Sequence, residues 1–210
     1  HMKNTVLAAL VLSVSLFAAG LEEVGRLTRA NGLSGSEIST YIASQKMLVT
    51  TSGDHEVFLI SLENPEKPQI LESLNFKGEV PCVSTHRDFL AIAEMNNPKT
   101  SPGTLHLYKV QNRKLNKLKS FTVGAHPDMV AFAPDGKTLL VANEGEPDDE
   151  AEVDPEGSIS LIDISNGFET ARVSELDFAA FDSLSLANAG VRLVGPGRYL
   201  QNIEPEYISY

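Results

Sequence analysis

The residues best able to do chemistry lie in one short run. Glu144–Glu156 holds eight carboxylates in 13 positions and no basic residue. Carboxylates this dense repel one another, by roughly 1 kcal/mol for a pair about 4 Å apart in water and by more near a protein surface. Two arrangements relieve that repulsion. One is an exposed, solvated loop. The other is a hard cation, because Ca²⁺ takes roughly six to eight oxygen ligands from closely spaced carboxylates and carbonyls. Asp148, Asp149, Asp154 and Glu156 are the expected ligands, and Pro147 and Pro155 limit the freedom the loop would lose on binding. Ca²⁺ is expected over Zn²⁺, since the run offers oxygen and neither imidazole nor thiolate. The spacing is not that of an EF-hand.

A second constellation is more dispersed. His126-Pro127-Asp128 and Glu204-Pro205-Glu206 share a proline-centred pattern, and Asn143-Glu144 ends an apolar run between them. Carboxylates, an amide and an imidazole around one point can hold a divalent Lewis acid. On that reading His126, Glu204 and Glu206 are candidate catalytic residues. Asn143, Glu144, His126 and Asp128 are candidate ligand-binding residues. The plainer alternative is a polar channel that binds only water.

Other signatures are missing. The chain has no Gly-x-Ser-x-Gly elbow, and Gly195-Pro196-Gly197 lacks the third glycine of a phosphate-cradling loop. The single cysteine, Cys82, sits in the apolar run Val80–Ser84 and reads as a buried small hydrophobe with no disulfide partner. The basic residues Lys109, Arg113, Lys114, Lys117 and Lys119 fall around a turn and read as a solvated hairpin.

The elements that must position these residues repeat. Met47–Thr51, Phe89–Ala93 and Thr138–Ala142 are apolar runs, each followed by a polar insert and a second run: Glu56–Ile60, Gly103–Val110 and Gly157–Ile164. Leu48, Leu90 and Leu140 align at steps of 42 and 50, and Leu59, Leu107 and Leu161 at steps of 48 and 54. Each unit starts with a further strand, at Ile38–Ala43, Pro81–Thr85 and Met129–Phe132. Each ends with another, at Gln69–Leu74, Leu118–Val123 and Thr170–Ser174. Four short strands every 40–50 residues predict an all-β fold, a β-propeller of four-stranded blades. The expected blades are 36–75, 80–123 and 125–174. A helical insert is predicted over 176–190, where Phe178, Phe181 and Leu184 recur at helical spacing, and the start of a further blade at 203–210.

Four motifs occur here in order: Asn143-Glu144-Gly145-Glu146-Pro147, Asp154–Ile159, Ala189–Gly197 and Glu204-Pro205-Glu206-Tyr207-Ile208. Together they resemble the choice-of-anchor I family of exported bacterial β-propellers, related to the animal mesenchyme-specific cell-surface glycoprotein. The resemblance covers residues 21–210. It implies a seven-bladed propeller at the cell surface or in the periplasm, of which this chain matches the N-terminal half. Some members have been described as phosphatase-like. Three blades and one strand do not close a ring, so the expectation is a fragment, or a chain that self-associates through its open ends.

Composition agrees with export. His1-Met2 reads as a cloning scar, and residues 3–20 read as a signal peptide, with Lys3 before an apolar stretch that ends in Ala18-Ala19-Gly20. Without Lys3, the domain at 21–210 carries 16 Lys+Arg against 28 Asp+Glu, a balance unsuited to nucleic acid. No second apolar run is long enough to cross a membrane, and any anchor is expected beyond Tyr210. Two functions follow as expectations. The first is a periplasmic or surface module that binds a ligand or partner and is stabilised by calcium. The alternative is a metal-dependent hydrolase, of phosphoesterase or lactonase type, working at the channel mouth.

Overall fold

The computed structural model describes residues 22–28, 36–52, 55–150, 152–193 and 199–209. The scar and leader at 1–20 lie outside them. The described residues form three four-stranded antiparallel sheets, each a meander whose strand order follows the sequence. The first holds β1 (Ser39–Ile42), β2 (Met47–Thr51), β3 (Glu56–Ser61) and β4 (Gln69–Asn75). The second holds β5 (Cys82–His86), β6 (Phe89–Glu94), β7 (Pro102–Gln111) and β8 (Lys114–Ala125). The third holds β9 (Pro127–Phe132), β10 (Thr138–Asn143), β11 (Ser158–Asp163) and β12 (Arg172–Leu176). The first strand β5 packs against both β1 and β9, and the last strand β8 against both β4 and β12. First strands gather on the inside and last strands on the outside, which is the blade arrangement of a propeller.

Side-chain alternation explains the stacking. In β6, Leu90 and Ile92 join Val49 and Leu59 of the first sheet in one apolar layer. Ala91 and Ala93 join Leu139 and Ile162 of the third sheet in the next. A strand buried on both faces reads as a continuous apolar run, as Phe89–Ala93 does. Each buried Leu or Ile contributes roughly 1.5–3 kcal/mol. These layers correct one sequence alignment. Leu90 faces back toward the preceding sheet, as does Leu139, whereas Leu140 pairs with Leu161 on the opposite face. The equivalent of Leu90 is therefore Leu139. A one-residue slip in a strand reverses every side chain.

Local chemistry sets the turns. Asn112 and Arg113, between β7 and β8, both have positive φ, 54° and 62°. That is the left-handed geometry a two-residue hairpin requires. Arg113 holds it by pairing with Glu63 at 2.6 Å and donating to Ser61. Gly136 supplies φ 68° in the β9–β10 turn, where Asp135 accepts the Lys137 N–H.

Two predicted elements are shorter than their sequence signals. Leu176 belongs to β12, and within 176–190 only Ser183–Asn188 is helical (α1). Asp182 caps it by accepting from Ser185 N–H at 2.9 Å, so the helix starts there and not earlier. Residues 203–209 contain no strand, because no neighbouring strand completes a ladder with them. They lie instead over the third sheet, where the Ile208 N–H meets Met129 Sδ at 3.0 Å. A Cβ at Gly157 would stand 1.9 Å from the Ile203 carbonyl, so glycine permits this approach.

A buried polar chain ties the first two blades. Glu94, at the end of β6, accepts the Lys77 and Gly78 N–H groups of the connection between them, each at 2.9 Å. His106 Nε2 donates to its other oxygen at 2.6 Å, and the Ser120 hydroxyl donates to His106 Nδ1 at 2.8 Å. Burial alone would raise the Glu94 pKa, but hydrogen bonds from Gly78, His106 and Lys77 hold it below the usual carboxylate value. Burial likewise lowers His106, although Glu94 pulls the other way, so the pair is a carboxylate beside a neutral imidazole. Glu94→Ala is expected to cost about 2–4 kcal/mol in denaturant unfolding, since it strands two backbone donors and an imidazole N–H. The ionised Glu94 stabilises the fold above its unfolded pKa and is lost as pH falls through the lower folded one. The loss caused by Glu94→Ala should therefore shrink in acid.

Candidate functional site

One residue, His126, joins the outermost strand of the second sheet to the innermost strand of the third. Its φ of 51° turns the chain at that corner. The corner is locked to the end of β10: the His126 carbonyl accepts Glu144 N–H at 2.8 Å and the Ala125 carbonyl accepts Gly145 N–H at 3.2 Å. Glu144 is thereby set beside His126. The β9–β10 register also shifts here, from Ala142 opposite Met129 to Asn143 opposite Pro127, which leaves Asp128 as the extra, bulged residue. Bulges re-aim side chains at the ends of strands, and Asp128 lines the same cleft as His126.

The imidazole side chain is 9% exposed. Its Nε2 is 3.4 Å from Glu144 Oε2 and its Nδ1 is 3.3 Å from Glu146 Oε2. The Nδ1 contact lacks hydrogen-bond geometry, and Nδ1 has no hydrogen-bond partner among the described residues. Burial holds His126 below its ordinary pKa, against the pull of Glu146. Burial raises Glu144, and the charges of Asp128, Glu146, Glu204 and Glu206 add to that, bringing it up to about 7. Asp128 is also raised by burial. Lys99, from the β6–β7 loop, donates to Glu146 at 2.8 Å, and that hydrogen bond raises its pKa further.

Two clefts meet at His126. The outer one, of about 680 Å³, runs between the connection at Lys77–Glu79, the β6–β7 loop and Glu146–Glu150 of the acidic loop. The inner one, of about 510 Å³, follows the first strands of the three blades, past Thr40, Ser84 and Asp128. Glu79 and Met95 line both.

His126, Asp128 and Glu144 thus come together, and Glu204 and Glu206 add their charge to the same place. Asn143 does not reach either cleft. It is fully buried and donates to Ser158 and Ser160 at 3.1 and 2.9 Å. The four carboxylates expected to bind calcium are divided. Asp148 and Asp149 line the outer cleft, whereas Asp154 and Glu156 do not. Asp148 closes its own turn by accepting Glu152 and Val153 N–H at 2.7 and 3.2 Å. Among the described residues no three His, Cys, Asp or Glu side chains gather in a way that could hold a metal ion. Sequence reasoning missed Glu79, Lys99 and Glu146. Only Glu146 carried a signal, as part of the acidic run; Lys99 lies in a plain polar insert, and only folding brings it across. Cys82 is buried, and burial pushes its thiol pKa up.

A family model described as the choice-of-anchor I domain matches residues 37–210. The mesenchyme-specific cell surface glycoprotein of Strongylocentrotus purpuratus is 27% identical over 134 residues, covering 58% of this chain and 17% of that protein. The periplasmic gluconolactonase of Pseudomonas aeruginosa superposes with a TM-score of 0.52 at 17% identity, over 69% of this chain and 40% of its own. Sqt1 of Saccharomyces cerevisiae gives 0.51 at 12% identity, over 68% and 35%. The chain therefore spans less than half of each, and at these identities the two structures speak to the fold alone.

The raised Glu144 has a measurable signature. Its folded pKa exceeds the ordinary 4.5, so its stabilising contribution is full below that value and lost as pH rises through about 7. The difference corresponds to at most about 3 kcal/mol. Glu144→Gln removes the titration. Relative to the parent chain, and with solvent screening of a partly exposed group allowed for, the variant should gain roughly 1–2 kcal/mol between about pH 5 and about pH 8 in urea unfolding. His106 titrates with the opposite sign but is common to both chains, and His126, 3.4 Å from Glu144, is followed separately. A pH-independent difference would show that Glu144 ionises normally.

Proposed function

Because this chain belongs to the choice-of-anchor I domain family, we propose that it is part of a cell-surface propeller that binds a ligand or partner at the clefts meeting on His126. The observation that carries this reading is the group of carboxylates around a buried, neutral imidazole whose Nδ1 has no hydrogen-bond partner among the described residues. Buried polar groups left this way favour an incoming partner that satisfies them. The relative's description as a cell surface glycoprotein and the leader-like residues 3–20 support a surface or periplasmic location. Calcium is part of the proposal for the acidic loop. Binding there requires Asp154 and Glu156 to join Asp148 and Asp149 around one ion.

A second reading, a metal-dependent phosphoesterase or lactonase, rests on one feature. Glu144, near pH 7 in its titration, stands 3.4 Å from His126, as a general acid beside a base would. The candidate residues for that chemistry are His126, Glu204 and Glu206.

Labelled chain applied to an immobilised array of sugars, peptides and small amines tests the binding reading. Retention on one class, lost in His126→Ala, is expected; equal retention of both chains overturns it. Phosphoester and lactone substrates, assayed with Ca²⁺, Mn²⁺ or Zn²⁺, test the second. Turnover lost in His126→Ala and Glu204→Gln would replace binding with catalysis. For calcium, melting in Ca²⁺ should exceed melting in chelator by roughly 3–6 °C, and Asp154→Asn with Glu156→Gln should remove the difference. Equal melting in the parent chain would return the loop to the solvated alternative.

A further inference from the structure

The outer cleft carries more negative charge than its own cations neutralise. Glu79, Glu146, Asp148, Asp149 and Glu150 line it, against Lys77 and Lys99. Among the described residues these carboxylates do not gather on one point; they are spread along a space of about 680 Å³. A row of separated carboxylates suits several positive groups held apart better than it suits one compact ion. The wall between them includes the buried Met95 and the exposed Pro98, which offer apolar surface.

The cleft already shows one way of taking a cation. The Lys99 ammonium, carried on the neighbouring blade, donates to Glu146 Oε2 at 2.8 Å and feels the charges of Asp149 and Glu144. His126 Nδ1 provides a second, independent sign. It belongs to a side chain more than nine-tenths buried, lines the cleft, and makes no hydrogen bond among the described residues. With the ring proton on Nε2, toward Glu144, Nδ1 and Glu146 Oε2 are two acceptors 3.3 Å apart. A donor serving both needs more than one hydrogen. An ammonium has three and no acceptor of its own.

Resting on the reading that this cleft binds a ligand, we propose that the ligand presents primary ammonium groups spaced along a methylene chain, as in a polyamine or in the lysine side chains of a peptide. One ammonium bridges His126 Nδ1 and Glu146, displacing Lys99. Others pair with Asp148, Asp149 or Glu79 further along, and the methylenes lie on Met95 and Pro98. Lys99 is then an internal competitor that sets the affinity and excludes ligands with a single weak positive charge. Charge-assisted bonds of this kind are stronger than neutral ones and weaken with salt.

Calorimetric titration of the full chain with spermidine, putrescine, a short lysine-containing peptide and, as an uncharged match, hexanediol tests this. Spermidine should bind more tightly than putrescine, and hexanediol should not bind. Glu146→Gln with Asp149→Asn should weaken spermidine by about tenfold or more. Lys99→Met should tighten it several-fold, a gain that impaired folding cannot produce. Binding of the peptide without spermidine would assign the ammonium groups to a protein partner; the reverse would assign them to a free polyamine. Spermidine binding unchanged or weakened by Lys99→Met, or hexanediol binding as well as putrescine, overturns the proposal. If no amine binds while another class is retained on the array through His126, the ammonium inference falls and the binding reading stands. If nothing is retained through His126, both fall.

Discussion

A sheet with apolar residues on both faces is stable only between two other layers, and the rest of this fold follows from that constraint. β6 cannot bury Leu90 and Ile92 without a sheet behind it, nor Ala91 and Ala93 without one in front. Stacked this way, the twisted sheets fan around a line of first strands. Each connection must then run from an outermost strand back to an innermost one. Those connections, with the loops between second and third strands, lie where His126, Lys99 and the acidic loop meet. The polar chemistry sits at that end because the packed faces leave no room for it elsewhere.

The electrostatics of that end are set by position more than by composition. Asp148, Asp149 and Glu150 carry their charges where solvent reaches them. Glu144 is drawn inward by two backbone hydrogen bonds at the His126 corner, and there the surrounding carboxylates oppose its ionisation. Lys99 answers only one of those charges directly. The Glu94–His106 pair shows the contrasting case. It is more buried still, but three donors are aimed at the carboxylate, and it ionises readily. Two glutamates in neighbouring blades thus behave oppositely because one received hydrogen-bond donors and the other received like charges.

Much of the fold was legible because a blade strand writes its burial into its residue types. Phe89–Ala93 and Thr138–Ala142 could hardly be anything else, and the inserts between paired runs marked the loops. Register was harder. In Leu139-Leu140 two identical residues face opposite sheets, and a local pattern cannot say which one faces back. The 203–210 segment carried strand-like residues, yet a strand exists only with a neighbour to bond. At the site, His126 and Glu144 were found because proline and the strand ends flanked them. Asn143 looked equally polar and turned out to be structural, since a hydrogen-bonding side chain reads the same whether it faces serines or solvent. Lys99 was invisible for a related reason: its partner is 47 residues away, and nothing in a polar insert records which loop it will cross.

The one-residue joint at His126 also bears on how such a chain can change over generations. Fourteen residues separate the second and third strands of the third sheet, and one separates the second sheet from it. An insertion at the joint would shift β9 by one position and turn Val130 and Phe132 outward. An insertion in the long loop would disturb no packed layer. Variation in length is therefore channelled into the loop that lines the cleft. The module can explore new binding surfaces through additions and losses there, while the corner that holds His126 stays fixed by the cost of losing a core.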